Sequence, residues 1–223
     1  MKFDIITIFP NIFDSYFNES ILARAQEKKL VEIKIHNLRD YAEDRHKTVD
    51  DSPYGGGPGM VMRADVINSA ISKIKTPHFA EATRGKQKSK SRIILFSPAG
   101  KKFTQKDAQR LSKYNQLVLV CGRYEGIDNR VEKYLADEIF SVGDFVLSGG
   151  EIPAMALVES VSRLIKGVLG KSESIEDKRY GVGVPAFTRP EEVVIKGKKR
   201  VVPKVLLSGD HKKIEEWRKA QVK

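Results

Sequence analysis

Short apolar runs alternate with longer amphipathic stretches along this chain. Phe3-Asp4-Ile5-Ile6-Thr7-Ile8-Phe9 is nearly all apolar and reads as a buried strand, stopped by Pro10. Ile12 to Lys28 has helical spacing, with Phe13, Phe17, Ile21 and Leu22 on one stripe. Val31-Glu32-Ile33-Lys34-Ile35 alternates, as a half-buried strand does. Arg63 to Lys75 predicts a helix with Val66, Ile67, Ala70, Ile71 and Ile74 on its apolar side. Arg92-Ile93-Ile94-Leu95-Phe96 predicts a strand, ended by Ser97-Pro98-Ala99-Gly100. Thr104 to Lys113 predicts a helix, with Thr104 as its N-cap. Pro153 to Lys166 is the clearest helix, because Pro153 suits a first turn and Met155, Leu157, Val158, Val161, Leu164 and Ile165 form a broad apolar face. Strands alternating with helices predict an α/β protein, a mostly parallel sheet with helices on both faces.

Two further strands end in glycine-bearing polar segments. Leu117-Val118-Leu119-Val120 runs into Cys121-Gly122-Arg123-Tyr124-Glu125-Gly126. Glu138-Ile139-Phe140-Ser141-Val142 runs into Gly143-Asp144-Phe145-Val146-Leu147-Ser148-Gly149-Gly150-Glu151, about twenty residues later. Glycine lets backbone approach a ligand closely. Two such ends on neighbouring strands predict one crevice at the carboxyl edge of the sheet, a small-molecule site made mostly of backbone. Acids (Glu125, Asp144, Glu151) and arginines (Arg123, Arg163) stand near it.

The 223 residues are enough for one ordinary domain plus a smaller one. No apolar run is long enough to cross a membrane, and the first residues lack a signal-peptide layout. The single cysteine, Cys121, excludes an intramolecular disulfide and suits a reducing cytoplasm. It reads as a small buried hydrophobe rather than a reactive thiol. The net charge of +11 favours a polyanionic partner, nucleic acid ahead of acidic membrane; a solvated basic surface without a partner is the plainer alternative. Thr83 to Arg92 is rich in Lys, Arg, Ser and Gly and is expected to be a surface loop. Gly167 to Gly183 reads as an interdomain linker, and Val193 to Lys223 as a short basic tail region.

Several chemistries find no support. The glycine-rich stretch Asp50-Asp51-Ser52-Pro53-Tyr54-Gly55-Gly56-Gly57-Pro58-Gly59-Met60 lacks the lysine of a phosphate-binding loop and reads as a shaped loop, with a long flexible turn the plainer alternative. The dinucleotide-binding fingerprint is absent from its proper context. His36, His46, His78 and His211 are scattered, so no metal site is expected. No nucleophile elbow occurs, and Cys121 lacks a nearby histidine.

Asp51 to Met62, Cys121 to Gly126, Gly143 to Met155, Ser160 to Ile165, Gly167 to Gly170, Val202 to His211 and Ile214 to Arg218 together resemble the bacterial TrmD-type tRNA (guanine-N1)-methyltransferases, in order and over nearly the whole chain. The resemblance implies a SPOUT fold: a parallel α/β sheet with a C-terminal trefoil knot, plus a small, mainly helical C-terminal domain. Periodicity alone does not predict a knot. The implied organisation is a cofactor-binding domain over 1–168, a linker over 169–184 and a shortened tRNA-binding domain over 185–223. The implied activity is methylation of N1 of the guanine immediately 3′ of the anticodon in tRNA, by a cytoplasmic homodimer using S-adenosyl-methionine. Magnesium is not evident in the sequence. A different SPOUT RNA methyltransferase and a non-catalytic RNA-binding homologue are the alternatives; intact Arg123-to-Gly126 and Gly143-to-Phe145 segments favour an enzyme.

The same resemblance implies the site residues. Cofactor contacts fall on Ser97, Pro98 and Gly100; on Gly122, Tyr124 and Glu125; and on Val142, Gly143, Asp144, Phe145, Val146 and Leu147, with Gly149 and Gly150 close by. N1 of guanine carries a proton, so a carboxylate must remove it and a cation must meet the charge that develops at O6. Arg163 matches the family's charge partner. The family's base is an aspartate in an Asp-Ser-Phe linker motif, whereas this chain reads Glu176-Asp177-Lys178-Arg179-Tyr180. Asp177 is the candidate base, Glu176 the alternative if the alignment slips, and a solvated acid paired with Lys178 or Arg179 the plain reading. Two departures bear on tRNA. Ala186 and Phe187 stand where the family has histidine and tyrosine, and the basic C-terminal region is short.

Overall fold

The computed structural model describes residues 1–75, 90–170 and 183–221. They fall into two units, Met1–Val168 and Leu169–Lys223. The expected loop over 83–92 lies outside the described residues up to position 89, as does most of the expected linker.

In the first unit, five strands form one sheet. They are β1 (Lys2–Thr7), β2 (Glu32–Asn37), β5 (Ser91–Lys102), β6 (Gln116–Val120) and β7 (Glu138–Ser141). The order is β2-β1-β6-β5-β7 and every pairing is parallel. Alternation along the strands splits the core in two. Phe3, Ile5, Leu117 and Leu119 face one side; Ile6, Val118 and Val120 face the other. The first side is covered by α1 (Asp14–Phe17), α2 (Ser20–Glu27), α4 (Gln105–Leu111) and α6 (Glu151–Ser162). The second is covered by α3 (Ala64–Lys75) and α5 (Asn129–Tyr134). Phe3, Phe13 and Phe140 are completely enclosed; truncating any of them to alanine costs about 3–5 kcal/mol. One charged side chain on these strands is fully buried. Asp4, on β1, accepts from His36 Nε2 at 2.8 Å and Gln116 Nε2 at 2.7 Å, with Lys2 Nζ at 3.0 Å.

Three expectations need correction. The helix predicted over Ile12–Lys28 is interrupted. A 3-10 turn (Pro10–Phe13) leads into α1, the helix stops at Asn18, and Ser20, the first residue of α2, takes a left-handed φ of 54°. Gln26 Nε2 donates to the Phe17 carbonyl at 2.8 Å and so satisfies the broken end. The periodicity survived because Phe13, Phe17 and Leu22 still share one core. Second, β5 does not end at Ser97. It bulges through Ser97–Gly100 and resumes pairing with β7 at Lys101↔Phe140. Gly100 is required there, since a Cβ would stand 2.8 Å from the Phe140 carbonyl carbon. Third, β6 and β7 are not neighbours, because β5 runs between them.

Two local features follow from capping and turn chemistry. Thr104 caps α4 with a full capping box: Asp107 N–H donates to Thr104 Oγ1 at 3.4 Å, and Thr104 N–H donates to Asp107 Oδ2 at 3.2 Å. The glycine-rich stretch forms the tip of a hairpin between β3 (Asp50–Asp51) and β4 (Val61–Met62). Gly55, Gly56, Gly57 and Gly59 all have positive φ, which only glycine adopts without strain, so the loop is shaped.

The second unit contains α7 (Lys204–Leu207) and α8 (His211–Ala220), the latter capped by Asp210 accepting from Lys213 N–H at 3.2 Å. Phe187 lies against Trp217, ring centroids 6.3 Å apart. The unit also holds a feature not anticipated from sequence, an antiparallel hairpin of β8 (Glu192–Ile195) and β9 (Lys198–Val201). Lys196 and Gly197 make its turn, both at positive φ, as two-residue hairpins require. Consecutive basic residues hid the strand alternation in β9.

Candidate active site

The carboxyl ends of β6, β5 and β7 open onto a cleft of about 460 Å³, within the range of small-molecule sites. The β5 bulge supplies Ser97 and Pro98. The segment after β6 supplies Gly122, Tyr124 and Glu125. The loop after β7 supplies Val142, Phe145, Val146, Leu147, Gly149 and Gly150. The intervening strand therefore contributes the middle wall, where direct adjacency of β6 and β7 was expected.

Local chemistry shapes each wall. Ser141 Oγ donates to the Gly143 carbonyl at 2.8 Å and accepts from Gly143 N–H at 3.3 Å, which turns the chain off β7. The loop then crosses back to β6. Gly150 N–H donates to the Gly122 carbonyl at 3.0 Å. A Cβ on Gly150 would stand 2.8 Å from Cys121 Cα, so backbone meets backbone with no room for a side chain. On the β6 side, Gly126 N–H donates to the Arg123 carbonyl at 3.1 Å and closes a tight turn. Glu125 N–H donates to the Met60 carbonyl at 3.0 Å, and Met62 N–H to the Gly126 carbonyl at 3.0 Å. The glycine-rich hairpin is thereby tied to the cleft wall. Its tip carries Tyr54, which is fully exposed.

Of the residues expected at the cofactor, Gly100, Gly143 and Asp144 do not line the cleft. Gly100 serves the β5–β7 approach. Gly143 lies beneath the Phe145 ring, where a Cβ would overlap it. Asp144 points outward and pairs with Lys102 Nζ at 2.6 Å. Arg163 is the C-cap residue of α6, is half-buried and is not among the residues lining the cleft. Asp177 and Glu176 lie outside the described residues. The lining also includes Glu132 on α5, a residue sequence reasoning missed. Its only signal would have been its place on the helix that follows the Gly122 segment.

The electrostatics are local. Arg123 Nε donates to the buried carboxylate of Glu151 at 2.9 Å, so its charge is met. Glu125 and Glu132 remain as exposed acids at the cleft in a chain of net charge +11. Burial pushes the Cys121 thiol well up, and the Glu151 charge adds to this, the opposite of what activates a thiol. Among the described residues, no group of three or more His, Cys, Asp or Glu could hold a metal ion. Nor, among them, is any helix long and apolar enough to cross a membrane.

A parallel α/β sheet with a glycine-walled cleft at its carboxyl edge is the arrangement in which open α/β proteins bind small ligands. Comparison with known proteins resolves the family. Residues 1–223 match the family described as tRNA (Guanine-1)-methyltransferase TrmD. The chain is 48% identical over 224 residues to the tRNA (guanine-N(1)-)-methyltransferase of Dictyoglomus turgidum (strain DSM 6724 / Z-1310), covering 99% of this chain and 84% of that protein. It is 46% identical to the proteins of the same name from Geobacter sp. (strain M21), covering 99% and 84%, and from Geobacter sulfurreducens (strain ATCC 51573 / DSM 12127 / PCA), covering 98% and 85%. The chain belongs to the TrmD family.

Proposed function

We infer that this protein methylates N1 of the guanine immediately 3′ of the anticodon in tRNA, with S-adenosyl-methionine as methyl donor. The observation that carries the reading is the three-walled glycine cleft, in a chain that matches the TrmD family from end to end. The cleft suits the donor. Gly122, Gly149 and Gly150 line it without side chains, and at Gly150 the loop packs backbone to backbone against Cys121 and Gly122. Glu125 and Glu132 favour a cation. The donor, once bound, supplies an electrophilic methyl group on a sulfonium.

The chain's own residues do the rest. Ser97, Pro98, Gly122, Tyr124, Glu125, Val142, Phe145, Val146, Leu147, Gly149 and Gly150 bind and orient. Gly100, Gly143 and Asp144 shape the segments that carry them. Asp177 takes the N1 proton onto its carboxylate, and Arg163 stabilises the charge that then accumulates at O6. The C-terminal unit, with Lys198, Lys199, Arg200, Lys204, Lys212 and Lys213, grips tRNA phosphates.

A homodimer and a trefoil knot belong to the same reading. Ile12, Tyr16 and Ile152 are large, apolar and exposed, on the turn, helix and α6 face that lie beside one another; a second copy would cover them. The reducing cytoplasm fits the unpaired Cys121. Magnesium is given no role.

The test is methyl transfer to tRNA transcripts carrying each of the four bases after the anticodon. The expected result is N1-methylguanine from the guanine transcript alone. Transfer to another base, or none with saturating donor, overturns the reading.

A further inference from the structure

Behind the cleft wall, one buried carboxylate has both oxygens engaged. Glu151 is the first residue of α6 and is 1% exposed. Its Oε1 accepts from Thr7 Oγ1 at 2.8 Å and its Oε2 from Arg123 Nε at 2.9 Å. Thr7 Oγ1 accepts in turn from Phe9 N–H at 2.9 Å. The Arg123 guanidinium lies 4.8 Å from the centroid of the Phe9 ring. Thr7, Phe9, Arg123 and Glu151 close a circuit that joins the ends of β1 and β6 to the first turn of α6.

Burying an ion pair is a poor way to stabilise a fold, because desolvation offsets the attraction. Such a pair does fix geometry, and here the geometry matters. Arg123 opens the turn that ends at Gly126. Within that turn Tyr124 has φ of 61°, a left-handed conformation that a non-glycine residue keeps only when its surroundings over-determine it. Tyr124 and Glu125, at the centre of the turn, both line the cleft. Arg123 NH1 also reaches the Ser148 carbonyl at 3.4 Å, so the same side chain touches the opposite wall.

We propose that Glu151 is a positioning residue for the cleft: through Arg123 and Thr7 it holds the Arg123–Gly126 turn in the conformation that presents Tyr124 and Glu125 to the ligand. The proposal rests on the reading of the cleft as the donor site.

The test is calorimetric titration of the full chain with S-adenosyl-methionine and S-adenosyl-homocysteine, alongside thermal melting. Glu151→Gln keeps the shape and removes the charge. Its affinity for both ligands is expected to fall about tenfold, since charge-assisted hydrogen bonds are about twice as strong as neutral ones. Thr7→Val keeps the Arg123–Glu151 pair but removes a hydroxyl; about threefold weaker binding is expected, in line with a neutral hydrogen bond. Thr7→Ser restores the hydroxyl and with it near wild-type affinity. A lowered melting temperature in Glu151→Gln with unchanged affinity makes the network merely structural and overturns the proposal. So does equal behaviour of Thr7→Val and Thr7→Ser, and this pair decides if Glu151→Gln fails to fold. If the wild type binds neither ligand, the donor reading falls and takes this one with it. If the wild type binds and the variants match it, only the positioning role falls.

Discussion

Lys102 Nζ and Asp144 Oδ2 stand 2.6 Å apart, tying the resumed part of β5 to the loop that follows β7. Both side chains are more than half exposed, so the pair contributes little to stability. It holds Asp144, which is not among the residues lining the cleft, against β5. The loop also meets β6 through backbone, at Gly150 and Gly122, and the first prediction addresses that contact.

Gly150→Ala places a methyl 2.8 Å from Cys121 Cα and 3.1 Å from Gly122 N. Neither atom is on a flexible side chain, so the loop must lift away from β6. Donor affinity is expected to drop at least about tenfold, and stability by about 1–3 kcal/mol as for other overpacking changes. Gly143→Val acts differently. Its Cβ meets the ring of Phe145, an exposed side chain that can swing out of the cleft. The fold should survive while donor binding is lost. Calorimetry and urea melts on the two variants separate these outcomes; unchanged affinity in a folded Gly143→Val would remove the Phe145 wall from the donor site.

Asp107 makes a pH prediction. Burial alone would raise its pKa, but hydrogen bonds from Lys101, Thr104 and Arg110 outweigh burial and bring it down to about 2. A depressed carboxylate contributes stability above its unfolded pKa and loses it as pH falls through the folded one. The window here runs from about pH 4 down to about pH 2. Urea midpoints should fall across that window in the wild type. Asp107→Asn should start lower and fall less. Parallel curves for the two proteins would mean that Asp107 does not carry the effect.

tRNA binding should be dominated by phosphate contacts, since the chain carries +11 and its C-terminal unit is lysine-rich. The logarithm of affinity is expected to decline linearly with the logarithm of salt, with a slope of roughly one per phosphate neutralised. Filter binding between low and physiological salt measures it. A flat response would point to recognition by bases alone.

The chemical step separates the two linker acids. Asp177→Asn should slow single-turnover methyl transfer by roughly a hundredfold or more, the range for losing a general base, with donor affinity nearly intact. Arg163→Ala should lower the same rate through lost charge stabilisation. Glu176→Gln is the control. A loss confined to that variant shifts the base by one residue, and no loss in either places it elsewhere.

Sequence reading succeeded where one residue type has one physical use. Thr104 ahead of an amphipathic run meant an N-cap, and it caps α4; that Asp107 completes a capping box was not read from the sequence. Leu117–Val120 and Glu138–Val142 read as strands, and β6 and β7 cover them nearly to the residue. It failed where the deciding partner is remote in sequence. Nothing near Thr7 announces Glu151, 144 residues away. Strand order was equally hidden, because hydrophobic runs do not say which strand lies beside which; pattern alone gave no middle wall, and Ser97, Pro98 and Gly100 entered only through the family resemblance. Ser97–Gly100 read as an ending because Pro and Gly usually are one. Here they form a bulge, a possibility local pattern does not separate from a stop.

That middle position of β5 has a consequence for the energetics of the unit. The walls of the cleft come from three strands that must be paired side by side before any wall faces another. A chain with β5 misplaced has no binding site to offer. A ligand seated there thus recognises the finished sheet and none of its parts, and its binding free energy is added to the folding free energy of the whole unit. In donor-poor solution the sheet stands on its own packing; in donor-rich solution its resistance to unfolding rises with the logarithm of the donor concentration.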